Sequence, residues 1–546
     1  MDLAPLQIQV ERSCRRLLSE QDRDPYSATL GCLDRRYWAW KMVDFPDGTL
    51  QRNVASLCWW WRRTPNAQSG IRQILLRAVQ AGLQFALRIQ HRDGSFDQAF
   101  PHEHSWGATA FLLPPLLESF AAIREACSPS FLQRAEEGLL RSARFLCREE
   151  ESHGFISNHL AGAAWALAAS AHFFHEPRFD QHSGRLLERV LSRQSGEGWF
   201  EEYEGADPGY QTLCLYYLSQ MYQRREDPAL RDALEKATSF LSWFVHPDGT
   251  FGGHYGSRRT AVYYPGGMAL LSNQFAFAWA ITRFMVPAIG EGKTTNLNDV
   301  DMGNLAPLLS NYLLTLQSEL PDDSHSAPAL PFERDESRQD FGQAGLYIRG
   351  TRRYYAILGV CNGGAMKVFD RRKPSLLWDD GGFVGRLSNG KFLTTQVTDL
   401  NRACQVTEEE ITFQTPFYFM GRAQLQPLRG IFFRILNLSA MRLSFFREWV
   451  KRGLVRFLIR GRRVAPLRIT RTVRWGTEEV RVTNSFLLEG QIRLQWLQGG
   501  VPFCSIHMAS SRYFEGFSPA SQGRQPVQVH VEKLMDVGTI QQEVVI

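Results

Sequence analysis

Residues 70–90 read GIRQILLRAVQAGLQFALRIQ. Apolar residues recur three and four apart, which is one buried face at helical period. The same texture returns in LQRAEEGLLRSARFLC (132–147), HLAGAAWALAASAHFF (159–174), YQTLCLYYLSQMY (210–222) and LRDALEKATSFLSWFV (230–245). A turn recurs between these segments: Gly94-Ser95-Phe96, Gly154-Phe155, Gly198-Trp199-Phe200 and Gly249-Thr250-Phe251. Its glycines lie 60, 44 and 51 residues apart, close to one helical hairpin each. Repeated hairpins with a glycine turn and an aromatic plug predict a ring of helix pairs. Ala-rich faces suit its close-packed layers. Residues 1–320 are read as an incomplete (α/α) toroid.

After a polar, proline-bearing connection (321–340) the period changes. GLYIRGTRRYYAILGV (345–360), GGFVGRLSNGKFLTTQV (381–397), LRITRTVRWGTEEVRVTNSF (467–486) and GQIRLQWLQG (490–499) alternate β-branched or aromatic residues with polar ones, broken by turn residues. Residues 341–546 therefore read as an antiparallel β-sandwich, which makes the chain an α+β multidomain protein. One segment refuses the strand pattern: IFFRILNLSAMRLSFFREWVKRGLVRFLIRGRR (431–463), bracketed by Pro427 and Pro466. It is amphipathic, basic and helical in period, an insert at 428–466. From Arg429 to Arg463 it carries ten Lys or Arg against one acid, Glu448.

Hydrophobic content of 44 % with 22 % charged residues excludes wholesale disorder. No stretch reaches the roughly 18 uninterrupted apolar residues of a spanning helix. Nine cysteines without a CxxC pair argue against a disulfide framework or a structural zinc site. With no secretory signal pattern at the start, a cytoplasmic chain is expected. A net charge of +6 is mild for 546 residues, so no nucleic-acid partner is expected. The insert has three readings: a face for an anionic membrane surface, through Arg434, Arg442, Phe446, Trp449, Lys451, Arg452 and Arg456; a dock for a partner protein; or a helical hairpin on its own sandwich. Only the first two explain the arginines, and the membrane surface is preferred.

Four loops concentrate polar and aromatic groups. They are Ser157-Asn158-His159 at the start of the Ala-rich helix, GWFEEYEGADPGYQ (198–211), GTFGGHYGSRRTAVYYPGG (249–267) and DGSFDQAFPHEHSWG (93–107). Candidate substrate contacts among them are Trp106, Glu202, Asp207, Tyr255, Arg258, Arg259 and Tyr264. The plainer reading makes Asn158 a helix cap, His159 and Tyr210 packing residues, and Arg258-Arg259 a solvated charge pair. His102 and His104 with Glu103 lack a third ligand at a metal spacing, so no metal or other cofactor is expected. Cys58-Trp59-Trp60-Trp61 reads as packing, and Asp379-Asp380 before two glycines as a hairpin turn.

The Asn158-His159 pair opening a helix, Tyr210 in ADPGY 52 residues later, the GHYG and YPGG segments and the order all-α then all-β resemble the heparinase II/III family of polysaccharide lyases over roughly residues 70–420. The resemblance implies a toroid followed by a β-sandwich, acting on uronate-containing polysaccharides by β-elimination. The adjacent carboxylate is already anionic, so abstracting the C5 proton needs a group that lets charge spread into it. By resemblance that group is Asn158, while Tyr210 and His159 match the family's Tyr and His as proton-transfer groups. Arg258 and Arg259 are placed to favour an ionised tyrosine. The family's early β-domain His is absent: no His lies between His325 and His507. His254 is the substitute from the toroid side, completing the catalytic set Asn158, His159, Tyr210 and His254.

Two classes of function follow. One is a lyase, or a uronate epimerase sharing the same proton abstraction, on an acidic glycan in biosynthesis or export at the inner membrane surface. The other is a catalytically silent protein that binds a glycan or lipid-linked intermediate within a membrane complex. A toroidal glycoside hydrolase using Asp93 and Asp207 is a further alternative. The helical half contains no acid cluster of the terpene cyclase kind.

Overall fold

The computed structural model describes residues 1–151, 155–203, 205–322, 324–420, 426–443, 445–446, 449–450, 453, 463–500, 503 and 527–546. Its helices form two concentric layers. The inner helices Val54–Arg63, Trp106–Ile123, Ser157–Phe174, Pro208–Arg224, Gly266–Leu271 and Met302–Gln317 pack each on the next, and the last returns to the first. Ser69–Ile89, Pro129–Arg148, Pro177–Leu191, Pro228–Ser242 and Ala276–Gly290 lie outside them, each against an inner partner.

Burial separates the two layers. Outer helix Pro129–Arg148 buries one stripe (Phe131, Ala135, Leu139, Ser142, Ala143, Leu146), as its period predicts. Inner helix Ser157–Phe174 is buried over most of its circumference and uses small residues to allow that. The stretch Trp106–Ala126 is long and apolar enough to cross a membrane, but 67 % of its apolar window is buried in the ring, as in a core helix. The recurring glycine turns adopt φ of +100° at Gly94 and +98° at Gly198. A side chain there would also strike the backbone of an outer helix, 2.3 Å from the Arg141 carbonyl oxygen and 2.4 Å from that of Lys236. The sequence repeat is therefore a steric requirement repeated around the ring. Gly154 lies outside the described residues. Cys58 and Trp59 pack in the core as expected.

The β half is two antiparallel sheets. The first runs in sequence order: Ser337–Phe341, Leu346–Gly350, Tyr354–Gly359, Ala365–Asp370, Ser375–Asp380. It thus begins inside the expected connection. Both of its faces are buried. Leu346, Ile348, Tyr355, Ile357 and Phe369 join the core of the toroid. The alternate residues Tyr347, Tyr354, Ala356, Leu358, Met366 and Val368 meet Ile411, Phe413, Val473 and Val482 of the second sheet. The period of two along each strand sends alternate side chains into two different cores.

Among the described residues the second sheet has nine strands, with Glu410–Met420 and Val464–Trp475 adjacent near its middle. Arg471 and Asp380 tie the sheets with an ion pair of 2.9 Å, buried on both sides. Asp379 pairs with Lys367 at 3.1 Å. The Asp379-Asp380 pair is thus the end of a strand holding two ion pairs, which corrects the hairpin-turn reading.

The insert joins the two adjacent strands, and residues 464–466 belong to the returning strand, where Val464 pairs with Tyr418. Its described part, helix Pro427–Leu438 and the turn Ala440–Arg442, rests on the toroid. Met441 and Val450, with Phe433, Leu436 and Phe446, pack against Phe100. Arg434 forms an ion pair of 2.8 Å with Asp44 and lies over Phe45. Two of the expected membrane contacts, Arg434 and Phe446, are thereby taken up by the protein itself. Lys451, Arg452 and Arg456 lie outside the described residues. The eight described cysteines are free.

Candidate active site

The sequence between Ile156 and Thr260 folds so that three inner-helix starts share one backbone frame. Ile156 pairs with Glu202 as an isolated bridge, and Ser157 donates its hydroxyl to the Glu201 carbonyl at 2.6 Å. Ser257 donates its N–H to Ala206 and its hydroxyl to the Glu202 carbonyl, both at 2.9 Å. Asp207 locks the third side. Its carboxylate accepts the N–H of Tyr210 at 3.0 Å, capping helix Pro208–Arg224, and those of Arg258 at 2.8 Å and Thr260 at 3.3 Å. Asp207 is 1 % exposed. It builds the loop and does not face a ligand, which corrects its assignment as a substrate contact.

Asn158 is not a helix cap. It sits within the first turn, and its Nδ2 donates to Glu202 Oε1 at 2.8 Å. Glu202 is buried behind it and corrects to an orienting residue. Burial raises its pKa to about 7, against the pull of Arg258, His159 and the Asn158 hydrogen bond. His159 Nδ1 lies 2.8 Å from Glu151 Oε2, a partner absent from the sequence reading. Burial pulls the His159 pKa down, but the charge and hydrogen bond of Glu151, with Glu202 beyond, outweigh it and the net shift is upward. Phe111 sets its ring edge-on to the imidazole with centroids 5.1 Å apart. Gly107 leaves the other approach open: a Cβ there would lie 3.0 Å from His159 Nδ1.

Arg258 joins the two halves of the site. Its guanidinium lies 4.1 Å from the Tyr203 ring centroid and 5.2 Å from that of Tyr210. Burial weakens its charge, yet Tyr210, Tyr203 and Glu202 more than restore it and leave its pKa raised. Tyr203 holds a left-handed φ of +51°, a strained conformation supported by the cation stacked on it. The half-buried groups of this cluster are Glu151, His159, Tyr203, Tyr210 and Arg258, with Asn158 and Glu202 beneath.

The remaining expected contacts are buried. Tyr255 is fully enclosed, its hydroxyl 2.8 Å from His246 Nε2. Tyr264 and Trp106 are core residues of the inner ring, and Arg259 is 1 % exposed. These four are corrected to structural positions. His254 faces the first sheet. Burial lowers its pKa to about 4, with Asp379, Lys367 and Arg259 as its charged neighbours. The structure thus groups Asn158, His159 and Tyr210 through Glu202 and Arg258 and sets His254 on the sheet side. Asp93 is engaged by Ser95 and His104, and Asp207 by backbone N–H groups, so the two-carboxylate hydrolase arrangement has no free pair here.

Residues 68–286 match the family model for the ulvan lyase N-terminal domain. No curated protein matches the chain in sequence. Among solved structures, it is similar to the chondroitin AC lyase of Streptomyces coelicolor A3 in complex with chondroitin sulphate, with a TM-score of 0.55 and 11 % identity over 91 % of this chain and 67 % of that one. It is also similar to the heparan sulfate lyase HepC of Pedobacter heparinus, with a TM-score of 0.40 and 11 % identity over 90 % of this chain and 71 % of that one.

Proposed function

We propose, from the match of residues 68–286 to the ulvan lyase N-terminal model and the shared fold of a chondroitin AC lyase, that the protein abstracts the C5 proton of a uronate residue in an acidic polysaccharide and eliminates the 4-linked glycan. The observation that carries this reading is the convergence of an amide, a carboxylate-paired imidazole and an arginine-backed phenol on one cluster. Asn158, oriented by Glu202, and His159, whose cationic form Glu151 favours, meet the uronate carboxylate and stabilise the charge that develops in it. Tyr210, with the Arg258 guanidinium 5.2 Å from its ring centroid, takes the C5 proton and returns a proton to the leaving glycosidic oxygen. The bond broken is C4–O, and the new C4–C5 double bond absorbs in the ultraviolet. The test follows that absorbance across a panel of uronate polysaccharides. A rise for the wild type that falls about 10²–10⁴-fold in Tyr210→Phe is expected. Equal rates in both proteins would remove Tyr210 from the mechanism. Binding of these glycans with no absorbance change would favour the silent glycan-binding role.

The same reading seats the chain on an anionic membrane surface. Its support is one face of helix Pro427–Leu438: Leu428, Ile431, Phe432, Ile435 and Leu438 follow helical spacing and are 47–81 % exposed. The opposite face packs on the toroid through Phe433 and Leu436. Leu443, Phe445 and Trp449 extend the exposed set, and the exposed Arg429 and Arg442 suit acidic headgroups at about 1 kcal/mol each. Flotation with phosphatidylserine vesicles, but not with phosphatidylcholine alone, is expected for the wild type and lost in Phe432→Asp/Ile435→Asp. Equal flotation of both proteins would end the membrane assignment.

A further inference from the structure

The loop between outer helix Ser69–Ile89 and inner helix Trp106–Ile123 gathers three imidazoles outside the candidate active site. His91 follows the outer helix, and His102 and His104 precede the inner one. One ring nitrogen from each lies within 4.8 Å of the others. The rings of His91 and His104 stack with centroids 4.0 Å apart.

The backbone is strained to make this happen. His102 and His104 hold φ of +60° and +51°, left-handed values that cost a non-glycine residue free energy. Asp97 maintains them by accepting the N–H of His102 at 2.8 Å and of His104 at 2.9 Å. Glu103, between the two histidines, turns back to accept the N–H groups of Gln98 and Ala99. Carboxylates also stand behind the rings. His104 Nδ1 is 2.6 Å from Asp93 Oδ2, and His91 Nε2 is 2.9 Å from Asp97 Oδ1. A carboxylate on one ring nitrogen fixes the tautomer and raises the basicity of the other, which is how metal-ligating histidines are oriented.

We infer that His91, His102 and His104 form a binding site for a divalent transition-metal ion, with Asp93 and Asp97 as its supporting carboxylates. Three nitrogen ligands with a position left for water suit Zn²⁺. The ion fastens the loop to the end of the outer helix. That fixes the start of helix Trp106–Ile123, whose Gly107 lies against His159, and it steadies Phe100, on which the insert packs. The site does not depend on the reaction assigned to the cleft.

The test uses the full chain stripped of metal with a chelator and then given Zn²⁺ or Co²⁺. One equivalent of Zn²⁺ retained through gel filtration is expected, with a rise in Tm that Mg²⁺ does not produce. Co²⁺ is expected to give visible bands of a low-coordinate nitrogen site. His91→Ala and His104→Ala should lose the retained equivalent, Asp93→Asn should weaken binding about 10–100-fold, and His172→Ala, exposed near the end of helix Ser157–Phe174, should change nothing. Failure of the wild type to retain Zn²⁺ would overturn the assignment, as would retention unchanged in both histidine variants. Should those variants not fold, the Co²⁺ spectrum of the wild type decides alone: octahedral, water-like bands would overturn it.

Discussion

Replacing Glu151 by Gln isolates the interaction that keeps His159 charged. The pair is 2.8 Å apart, with side chains 25 % and 18 % exposed, so solvent screens it only partly. A hydrogen bond to a charged group contributes about 1.5–3 kcal/mol. Losing it should lower the His159 pKa. Burial then dominates, with Glu202 still raising the pKa and Arg258 lowering it. Because the folded pKa is raised above the unfolded value of about 6.5, the pair's contribution is fully present below that pH. It is lost as pH rises through the folded pKa. Wild type should therefore exceed Glu151→Gln in stability by about 1.5–3 kcal/mol near pH 6 and converge with it as pH rises through the folded His159 pKa. Urea unfolding at a series of pH values, with the His159 imidazole followed by NMR, measures both quantities. A His159 titration that stays in place or moves upward in the variant would refute the reasoning, as would a stability difference that does not vary with pH.

Three further outcomes are expected. Arg471→Met should cost about 3–5 kcal/mol by leaving Asp380 charged and buried, and the double variant with Asp380→Leu should recover much of that in chemical unfolding. Gly198→Ala should cost about 1–3 kcal/mol, because its φ is +98° and the added Cβ would meet the Lys236 carbonyl oxygen. Gly196→Ala, with open space around it, should stay near zero in the same melts. Asp207→Ala should lose about 0.5–2 kcal/mol for the cap alone. It should also depress kcat on any active substrate by releasing the Arg258 backbone, whereas an intact kcat would show that the Asp207 bond does not position Arg258.

The ring was legible because its determinants are local. Helical period and a glycine that must turn with positive φ are both written within a few residues, and both recur. The alternation of the sheets was legible for the same reason. What the sequence hid is tertiary. Trp106, Tyr255 and Tyr264 sit in polar, glycine-rich segments, which suggested ligand contacts, yet a ring buried on both sides needs large side chains at those positions. Glu151 lies eight residues before His159, and nothing local marks it as the partner. His91 is a third imidazole that the spacing did not signal, because it lies just past a helix end, eleven residues before His102. The insert's docking on Phe100 and Asp44 joins segments more than three hundred residues apart, which no periodicity encodes.

The missing β-domain histidine gains a different meaning from these contacts. The first sheet reaches the toroid at the loop that carries Arg258. Gly359 lies so close to Tyr255 that a Cβ would fall 2.8 Å from its carbonyl oxygen, and Asn362 donates its amide to that same oxygen. Thr398 approaches Asn362 at 2.9 Å and the Ser257 carbonyl at 3.4 Å, one residue before Arg258. Lys367 fills the space beside Gly253. The sandwich therefore grips residues 253–257 from one side while Asp207 holds 258 and 260 from the other. Under the proposed elimination, a guanidinium held at both ends of its loop keeps its place over Tyr203 and Tyr210 as charge develops, where a preorganised cation gains most. In that reading the β domain serves the cleft by fixing this cation through Asn362, Thr398 and Lys367 on the backbone of residues 253–257, and not through an imidazole, since residues 326–506 contain no histidine.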